Sequence, residues 1–217
     1  MIRDNETVLF TGDSITDCGR VREATGANDL SGLGLGYAKM AAAQLLADRP
    51  SAGLKLLNRG ISGNRIVDLY ARIKSDLINL NPNVVSILVG VNDTCHEFGG
   101  KNGVAVPKYE RVYRDLLTET REALPGVRFV LCEPFLLRSG GVTEPMVEDI
   151  VKRHAVVKRL AQEFGAVFVP FQKVFDDAIR QAPPADWAAD GVHPTPGGHM
   201  LMARAWLAAV GGAKGGS

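Results

Sequence analysis

The sequence predicts an α/β fold in which one parallel sheet lies between two layers of helices. Short apolar runs alternate with longer segments of helical periodicity along the 217 residues, which is typical of strands joined by right-handed helical crossovers. The apolar runs are continuous, as expected of strands covered on both faces. We therefore predict a single three-layer α/β/α domain over residues 1–210, followed by a flexible glycine-rich tail at 211–217.

The predicted strands share an apolar interior and end at polar, glycine-bearing turns. They are Thr7–Thr11, Leu54–Asn58, Val84–Val89, Val127–Cys132 and Ala166–Pro170. Helices are predicted where apolar residues recur every three or four positions. They cover Tyr37–Asp48, Ile66–Leu80, Lys108–Leu124, Pro145–Phe164 and Pro196–Val210. Because the carboxyl ends of parallel strands lie at one edge of a sheet, polar residues that follow the strands should meet there.

The composition, 46% hydrophobic and 23% charged, is ordinary for a globular protein. The formal net charge of +1 gives no basic footprint for nucleic acid or an anionic membrane. The chain has only three cysteines, and an odd number cannot all pair, which argues against a disulfide framework and favours a reducing compartment. The polar N-terminus lacks a signal-peptide core, and no apolar run approaches the ~20 residues of a membrane span. We therefore expect a cytoplasmic protein without nucleic-acid or membrane partners.

Four polar turns stand at strand ends or directly before a helix. They are Gly12–Asp17, Asn58–Asn64, Gly90–Asp93 and Asp190–Pro194. If the sheet forms as predicted, all four can converge on one rim. This convergence makes them the candidate functional site.

The four turns contain the groups that acyl transfer requires. Ser14 is a candidate nucleophile, and His193 is the best placed histidine to take its proton. Asp190, three residues before His193, can orient the imidazole, and Pro194 favours an extended backbone at His193. The order serine, aspartate, histidine matches one known triad order, although order alone is weak evidence.

A developing oxyanion also needs hydrogen-bond donors. Backbone N–H groups at Ser14 and Gly63 and the side-chain amide of Asn92 can supply three. None of these donors is specific when taken alone.

Each motif also has an ordinary structural interpretation. A Gly-Asp-Ser turn alone most often only begins a helix, and Asp13 is expected to accept N–H groups there. A carboxylate pair of Asp13 and Asp17 would suit a metal-dependent phosphohydrolase, but the sequence lacks phosphate-binding partners and a Walker-type loop. We therefore expect no metal and no cofactor.

Taken together, the four turns resemble the SGNH hydrolases, the GDSL-motif esterase family. The four blocks are Gly12–Ser14, Asn58–Gly63, Gly90–Asp93 and Asp190–His193. In the second block, the glycine of the family motif corresponds to Gly63 rather than to Gly60. These blocks span most of the chain. The resemblance implies a flavodoxin-like parallel sheet in the order 2-1-3-4-5. It also implies metal-free ester hydrolysis through an acyl-serine intermediate.

By the same resemblance, Ser14 is the nucleophile, His193 the base and Asp190 its orienting acid. The oxyanion hole consists of the N–H groups of Ser14 and Gly63 and the amide of Asn92. Three segments look most similar to the intracellular acetylxylan esterases: Thr11–Arg20, Asn58–Asn64 and Gly32–Tyr37. The position of Trp187 relative to Asp190 departs from that branch, which leaves open whether Trp187 forms a pocket wall.

The expected function is removal of acetyl groups from carbohydrate esters, and acetylated xylo-oligosaccharides are the first choice of substrate. Relatives of this branch often form homo-oligomers, so we also expect a homo-oligomer. One alternative is a broad-specificity thioesterase or lysophospholipase. Another, from a different class, is a non-catalytic carbohydrate-binding scaffold. A pure binding protein has no need of Ser14, Asn92, Asp190 and His193 together, which argues against the scaffold.

Overall fold

A computed structural model describes residues 1–211 of the chain and contains one five-stranded sheet. Its strands are β1 (Thr7–Gly12), β2 (Lys55–Asn58), β3 (Val84–Leu88), β4 (Arg128–Cys132) and β5 (Val167–Val169). All neighbouring pairs are parallel. The strand order is β2-β1-β3-β4-β5, which confirms the predicted topology.

The helices cover the two faces and the carboxyl edge of this sheet. They are α1 (Ser14–Asp17), α2 (Tyr37–Asp48), α3 (Ile66–Ala71), α4 (Ile73–Asp76), α5 (Val91–Gly100), α6 (Val106–Ala123), α7 (Glu144–Glu163), α8 (Phe171–Ala178), α9 (Pro184–Trp187) and α10 (Pro196–Gly211). The sequence patterns missed α1, α5, α8 and α9, because a short helix, or one rich in polar residues and glycine, carries little apolar periodicity.

Most predicted elements agree with the structure to within one or two residues at each end, and two differences matter more. The helix predicted over Ile66–Leu80 is broken, because the backbones of Arg72 and Leu77 leave the helical region and a 3₁₀ turn follows at Ile78–Leu80. Gly211, predicted to open the flexible tail, is the last residue of α10. The remainder of that predicted tail, 212–217, lies outside the described residues.

Apolar residues on alternate sides of each strand build two cores. Phe10 of β1 faces the core beneath α2, α8 and α10, whereas the preceding Leu9 faces the core beneath α3, α6 and α7. The Trp206 ring of α10 lies 4.8 Å from the Phe10 ring, and its indole N–H donates to Ser86 Oγ at 2.9 Å. Both sheet faces are therefore sealed, so the carboxyl edge is where the strands can present polar groups.

The register aligns the ends of β1, β2 and β3 at that edge. Gly12 at the end of β1 pairs with Leu88 of β3, and Phe10 pairs with Asn58 of β2. A Cβ atom at Gly12 would lie 2.1 Å from the Leu88 carbonyl oxygen, so only glycine fits there. This close approach sets the starting point of the turn that follows β1.

Candidate active site

The turn after β1 presents Ser14 as the first residue of α1. The Asp13 carboxylate caps this helix by accepting the Ile15 N–H at 3.0 Å. The first N–H groups of a helix have no intrahelical acceptor, so the Ser14 N–H is left available. Ser14 is half-buried, whereas its neighbours Asp13 and Ile15 are buried.

Ser14, His193 and Asp190 form one chain of hydrogen bonds, as the sequence predicts. Ser14 Oγ lies 2.8 Å from His193 Nε2, and His193 Nδ1 lies 2.7 Å from Asp190 Oδ2. If Nδ1 carries the imidazole proton toward the carboxylate, Nε2 is left to accept the Ser14 proton. The arrangement can therefore generate an alkoxide-like nucleophile.

The Asp190 carboxylate has three donors around it. Its other oxygen accepts the backbone N–H groups of Val192 at 2.9 Å and His193 at 2.7 Å. Burial raises the Asp190 pKa, but the hydrogen bonds from His193 and Val192 and the charge of His193 outweigh it, so the pKa lies below its ordinary value. Asp190 is therefore ionised at neutral pH and can stabilise a positively charged imidazole.

The loop that carries His193 is held by the start of α10. Thr195 Oγ1 accepts the Gly198 N–H at 3.2 Å, and Pro196 is the first residue of that helix, both as expected of a cap. The Thr195 N–H donates to the carbonyl of Trp187 at 2.8 Å. The indole N–H of Trp187 donates to the Ala182 carbonyl at 3.3 Å. The backbone of Trp187 thus holds Thr195, which lies two positions after His193.

The second predicted turn packs against α1, and the third contacts the second. Asn92 lies in the first turn of α5, and its amide donates to the Asn64 carbonyl at 3.1 Å, which leaves one N–H of the amide for another acceptor. Gly63, the residue before Asn64, has φ of +83°, and a Cβ atom there would meet nothing within 4 Å. Gly63 therefore borders open space in a conformation that favours glycine.

Gly60 serves a different purpose from Gly63. A Cβ atom at Gly60 would lie 2.3 Å from the Asp17 nitrogen, so glycine lets this loop pack against α1. Asn58 reinforces the contact: its amide donates to the Thr16 carbonyl at 2.6 Å, and its oxygen accepts the Gly60 N–H at 2.8 Å. The two glycines of this turn therefore have different surroundings, since Gly60 packs against α1 and Gly63 borders open space.

Two buried carboxyls flank the site. Burial raises the pKa of Asp13 and of Asp93 to about 7 each. Asp13 bonds to the Ile15 N–H, and both oxygens of Asp93 accept the Ile66 N–H at 3.1 and 3.2 Å. Asp17 accepts the Ser62 N–H at 2.9 Å. These carboxylates therefore accept backbone N–H groups at the starts of helices and in a loop.

Within residues 1–211, no group of three or more His, Cys, Asp or Glu side chains is arranged to hold a metal ion. None of the helices in the same range is long and apolar enough to cross a membrane.

An open groove lies between α5 and the segment after β4, with a volume of about 370 Å³. It is lined by Cys95, Phe98, Gly99, Gly141, Thr143 and Met146. The segment that forms its far wall contacts the turn of the triad acid, because Ser139 Oγ donates to the Ala189 carbonyl at 2.9 Å. Burial raises the Cys95 thiol pKa to about 11, so the lining is uncharged at neutral pH.

The sequence patterns place Asn64 at the end of the second predicted turn but do not single out Arg72, which contacts it. Asn64 accepts from Asn92 through its carbonyl and from Arg72 through its side chain. Arg72 is distant from the motifs along the chain, so no local signal marks it.

The chain matches the GDSL-like lipase/acylhydrolase family over residues 10–201. The acetylxylan esterase of Geobacillus stearothermophilus is 38% identical over 214 residues, which cover 97% of this chain and 96% of that protein. The similarity thus spans all four predicted turns.

Two solved structures are similar over nearly the whole chain. A protein of Parabacteroides merdae described as GDSL-like has a TM-score of 0.93 at 41% identity, covering 97% of this chain and 98% of that one. Axe2, an acetylxylan esterase from Geobacillus stearothermophilus, has a TM-score of 0.89 at 37% identity, covering 97% and 96%. Variants described as catalytic mutants of Axe2 carry alanine in place of a serine, of an aspartate, or of a histidine three positions after that aspartate.

Proposed function

Because the chain belongs to the GDSL-like lipase/acylhydrolase family, we propose that it is a serine esterase that removes acetyl groups from carbohydrate esters. Acetylated xylo-oligosaccharides are the proposed substrate class. The observation that carries the proposal is the hydrogen-bonded chain of Ser14, His193 and Asp190. The similarity to acetylxylan esterases supports the acetyl group and does not favour a thioesterase, a lysophospholipase or a binding scaffold.

The proposed reaction uses the site residues in turn. Ser14 Oγ attacks the acetyl carbonyl carbon while its proton moves to His193 Nε2, and the Asp190 carboxylate stabilises the imidazolium. The N–H groups of Ser14 and Gly63 and the amide of Asn92 stabilise the oxyanion. The bond to the sugar oxygen then breaks, and His193 protonates this oxygen, so that the sugar leaves with a free hydroxyl. Water attacks the acetyl-serine by the same route and releases acetate.

The comparison with Axe2 supports the roles of Ser14, Asp190 and His193. The catalytic mutants of Axe2 alter a serine, an aspartate and a histidine, and the last two are spaced as Asp190 and His193 are. Asp13 and Trp187 are proposed as structural supports, since their contacts are with the start of α1 and the histidine loop.

We propose further that the protein works in the cytoplasm and binds no nucleic acid. None of its three cysteines forms a disulfide, which fits a reducing compartment. The net charge of +1 offers no electrostatic footprint for a polyanion. A homo-oligomer is proposed from the family resemblance, and light scattering of the purified protein would measure it.

The substrate proposal is tested by acetate release from acetylated xylo-oligosaccharides, with 4-nitrophenyl acetate and 4-nitrophenyl octanoate measured alongside. We expect acetate release from the oligosaccharide and faster turnover of the acetate ester than of the octanoate ester. Preference for the octanoate ester would favour a lipid or thioester substrate instead. Absence of any ester hydrolysis would contradict the esterase itself.

Replacing Asn92 with alanine should lower kcat by about 10²–10³-fold with little change in KM. The amide is proposed to bind the oxyanion, which carries full charge only in the transition state. Steady-state kinetics with 4-nitrophenyl acetate measure both constants. A kcat loss of less than about threefold would remove Asn92 from this role.

The groove beside the site suggests how the sugar chain binds. Phe98 is 48% exposed and is the one aromatic among the large exposed hydrophobic side chains of residues 1–211. A xylose ring is uncharged and has apolar C–H faces, which suit the electron-rich face of an aromatic ring in an uncharged groove.

Phe98→Ala should therefore raise KM for acetylated xylo-oligosaccharides several-fold while leaving kcat/KM for 4-nitrophenyl acetate unchanged, because that ester lacks the sugar chain that the proposed subsite would bind. Leu30→Ala is a matched control, since Leu30 is 74% exposed and does not line this groove. An equal effect of Phe98→Ala on both substrates would argue against a sugar subsite.

A further inference from the structure

We propose that Arg72 is a positioning residue that holds the backbone of the Ser14 turn and the Gly63 turn at a fixed separation, so that the oxyanion donors on both turns point at one spot. The inference rests on the proposed function, because it assigns a role within that reaction. Arg72 itself does not touch the reacting atoms.

The Arg72 side chain donates to three acceptors, of which two are backbone carbonyls and one is a side-chain amide oxygen. Its Nε donates to Asn64 Oδ1 at 2.8 Å, its Nη1 to the Arg59 carbonyl at 2.8 Å, and its Nη2 to the Gly12 carbonyl at 3.3 Å. Asp76 lies 2.9 Å from Nη1. The side chain is only 14% exposed, so these contacts are largely shielded from water.

Two of these three contacts lie within two residues of a proposed oxyanion donor. Gly12 is two residues before Ser14, and Asn64 directly follows Gly63. The Asn64 carbonyl also accepts the side-chain amide of Asn92 at 3.1 Å. One guanidinium therefore reaches the neighbourhood of all three donors, each through a single hydrogen-bonded partner or a short backbone link.

The break between α3 and α4 is located at this residue. Arg72 has φ of −112° and ψ of 16°, and it is both the C-cap of α3 and the N-cap of α4. Its side chain pairs with Asp76 one turn later in α4, which orients the guanidinium. The interruption that the apolar periodicity does not predict thus coincides with the residue that contacts the site.

A guanidinium is suited to this geometry and an ammonium is not. Its five N–H donors lie in one plane at fixed angles, so it can hold several acceptors in a defined arrangement. A lysine at position 72 would keep the charge but could not satisfy Asn64, Arg59 and Gly12 with the same geometry. Hydrogen bonds from a charged donor are about twice as strong as neutral ones.

Other contacts hold the first half of the same loop. Arg20 Nε donates to the Gly60 carbonyl at 2.7 Å, and Asp17 accepts the Ser62 N–H at 2.9 Å. Loss of Arg72 should therefore leave residues 60–62 in place and release the part of the loop around Gly63. We therefore expect replacement of Arg72 to lower the rate of catalysis while the protein still folds.

The test compares Arg72→Met and Arg72→Lys with the unaltered enzyme on 4-nitrophenyl acetate. We expect kcat to fall by roughly 10–100-fold in both variants, since misplacing a donor by about 1 Å can cost 10²-fold, while KM changes by less than about threefold. Arg114→Met is the matched control, because Arg114 pairs with Glu110 and Glu163 on the surface of α6 and α7. That control should keep full activity.

Two further readouts separate positioning from a general loss of structure. Phenylboronic acid, which forms a tetrahedral adduct with an active serine, should bind more weakly by about the factor by which kcat/KM falls. Guanidinium ion at millimolar concentration should partly restore the activity of Arg72→Ala and should leave the full activity of Arg114→Met unchanged.

The outcomes distinguish this inference from the proposed function. If the unaltered enzyme hydrolyses esters but Arg72→Lys, folded by circular dichroism, retains full kcat and boronate affinity, only the role of Arg72 is wrong. If the unaltered enzyme hydrolyses no ester, the proposed function itself fails. A rise in KM with kcat unchanged would also overturn the positioning role, because it would indicate ground-state binding instead.

Discussion

Ser14→Ala should abolish hydrolysis of 4-nitrophenyl acetate, with a loss in kcat on the order of 10⁴-fold or more. Ser14 Oγ is the hydroxyl bonded to His193, at 2.8 Å, and no covalent acetyl intermediate can form without it. Residual activity should come only from binding and the oxyanion donors. Initial rates with purified protein measure the loss.

Two controls make this result specific to Ser14. Ser51→Ala, in an exposed turn before β2, should keep the full rate. A fluorophosphonate probe should label the unaltered protein and Ser51→Ala but not Ser14→Ala. Hydrolysis by Ser14→Ala at the unaltered rate would refute the nucleophile, and lack of labelling in the unaltered protein would favour the carbohydrate-binding scaffold.

His193→Ala should produce a loss of similar size, because the serine then has no base and the leaving sugar oxygen has no acid. The fold should survive, since the His193 side chain is 55% exposed and contributes little to the core. The measurement is kcat on 4-nitrophenyl acetate, together with thermal unfolding to verify the fold.

His154→Ala is the matched histidine control. The His154 side chain lies on α7 within 4.0 Å of Glu133 and contacts neither Ser14 nor Asp190. Added imidazole should restore part of the activity of His193→Ala and leave His154→Ala unaffected. If His193→Ala kept more than about a tenth of the activity, another group would have to act as the base.

Parallel topology explains why much of this site could be predicted from short motifs. Continuous apolar runs imply strands covered on both faces, and the carboxyl ends of such strands share one edge. Ser14, Gly63 and Asn92 each follow a different strand, so predicting the strands also placed them together. The cap at Thr195 is a local pattern, and it placed His193 on a loop directly before α10.

Local periodicity was insufficient where tertiary contacts decide the backbone. Helix α5 contains Asn92 and Phe98 but is polar and glycine-ended, so its sequence gives no apolar stripe. The interruption at Arg72 arises in a stretch whose apolar spacing favours one continuous helix. There the side chain bonds to the Arg59 and Gly12 carbonyls, which lie far from it in sequence.

Residue patterns alone predict the α/β class, the strand order through the family resemblance, and the polar residues that follow the strands at the carboxyl edge. These features follow from apolar patterning and from motifs only a few residues long. Tertiary contacts alone establish that Gly60 serves packing while Gly63 borders open space, that the Asp93 carboxylate accepts the Ile66 N–H, and that Arg72 joins two turns. These roles depend on distances between segments that are remote along the chain, and residue type and spacing do not encode such distances locally.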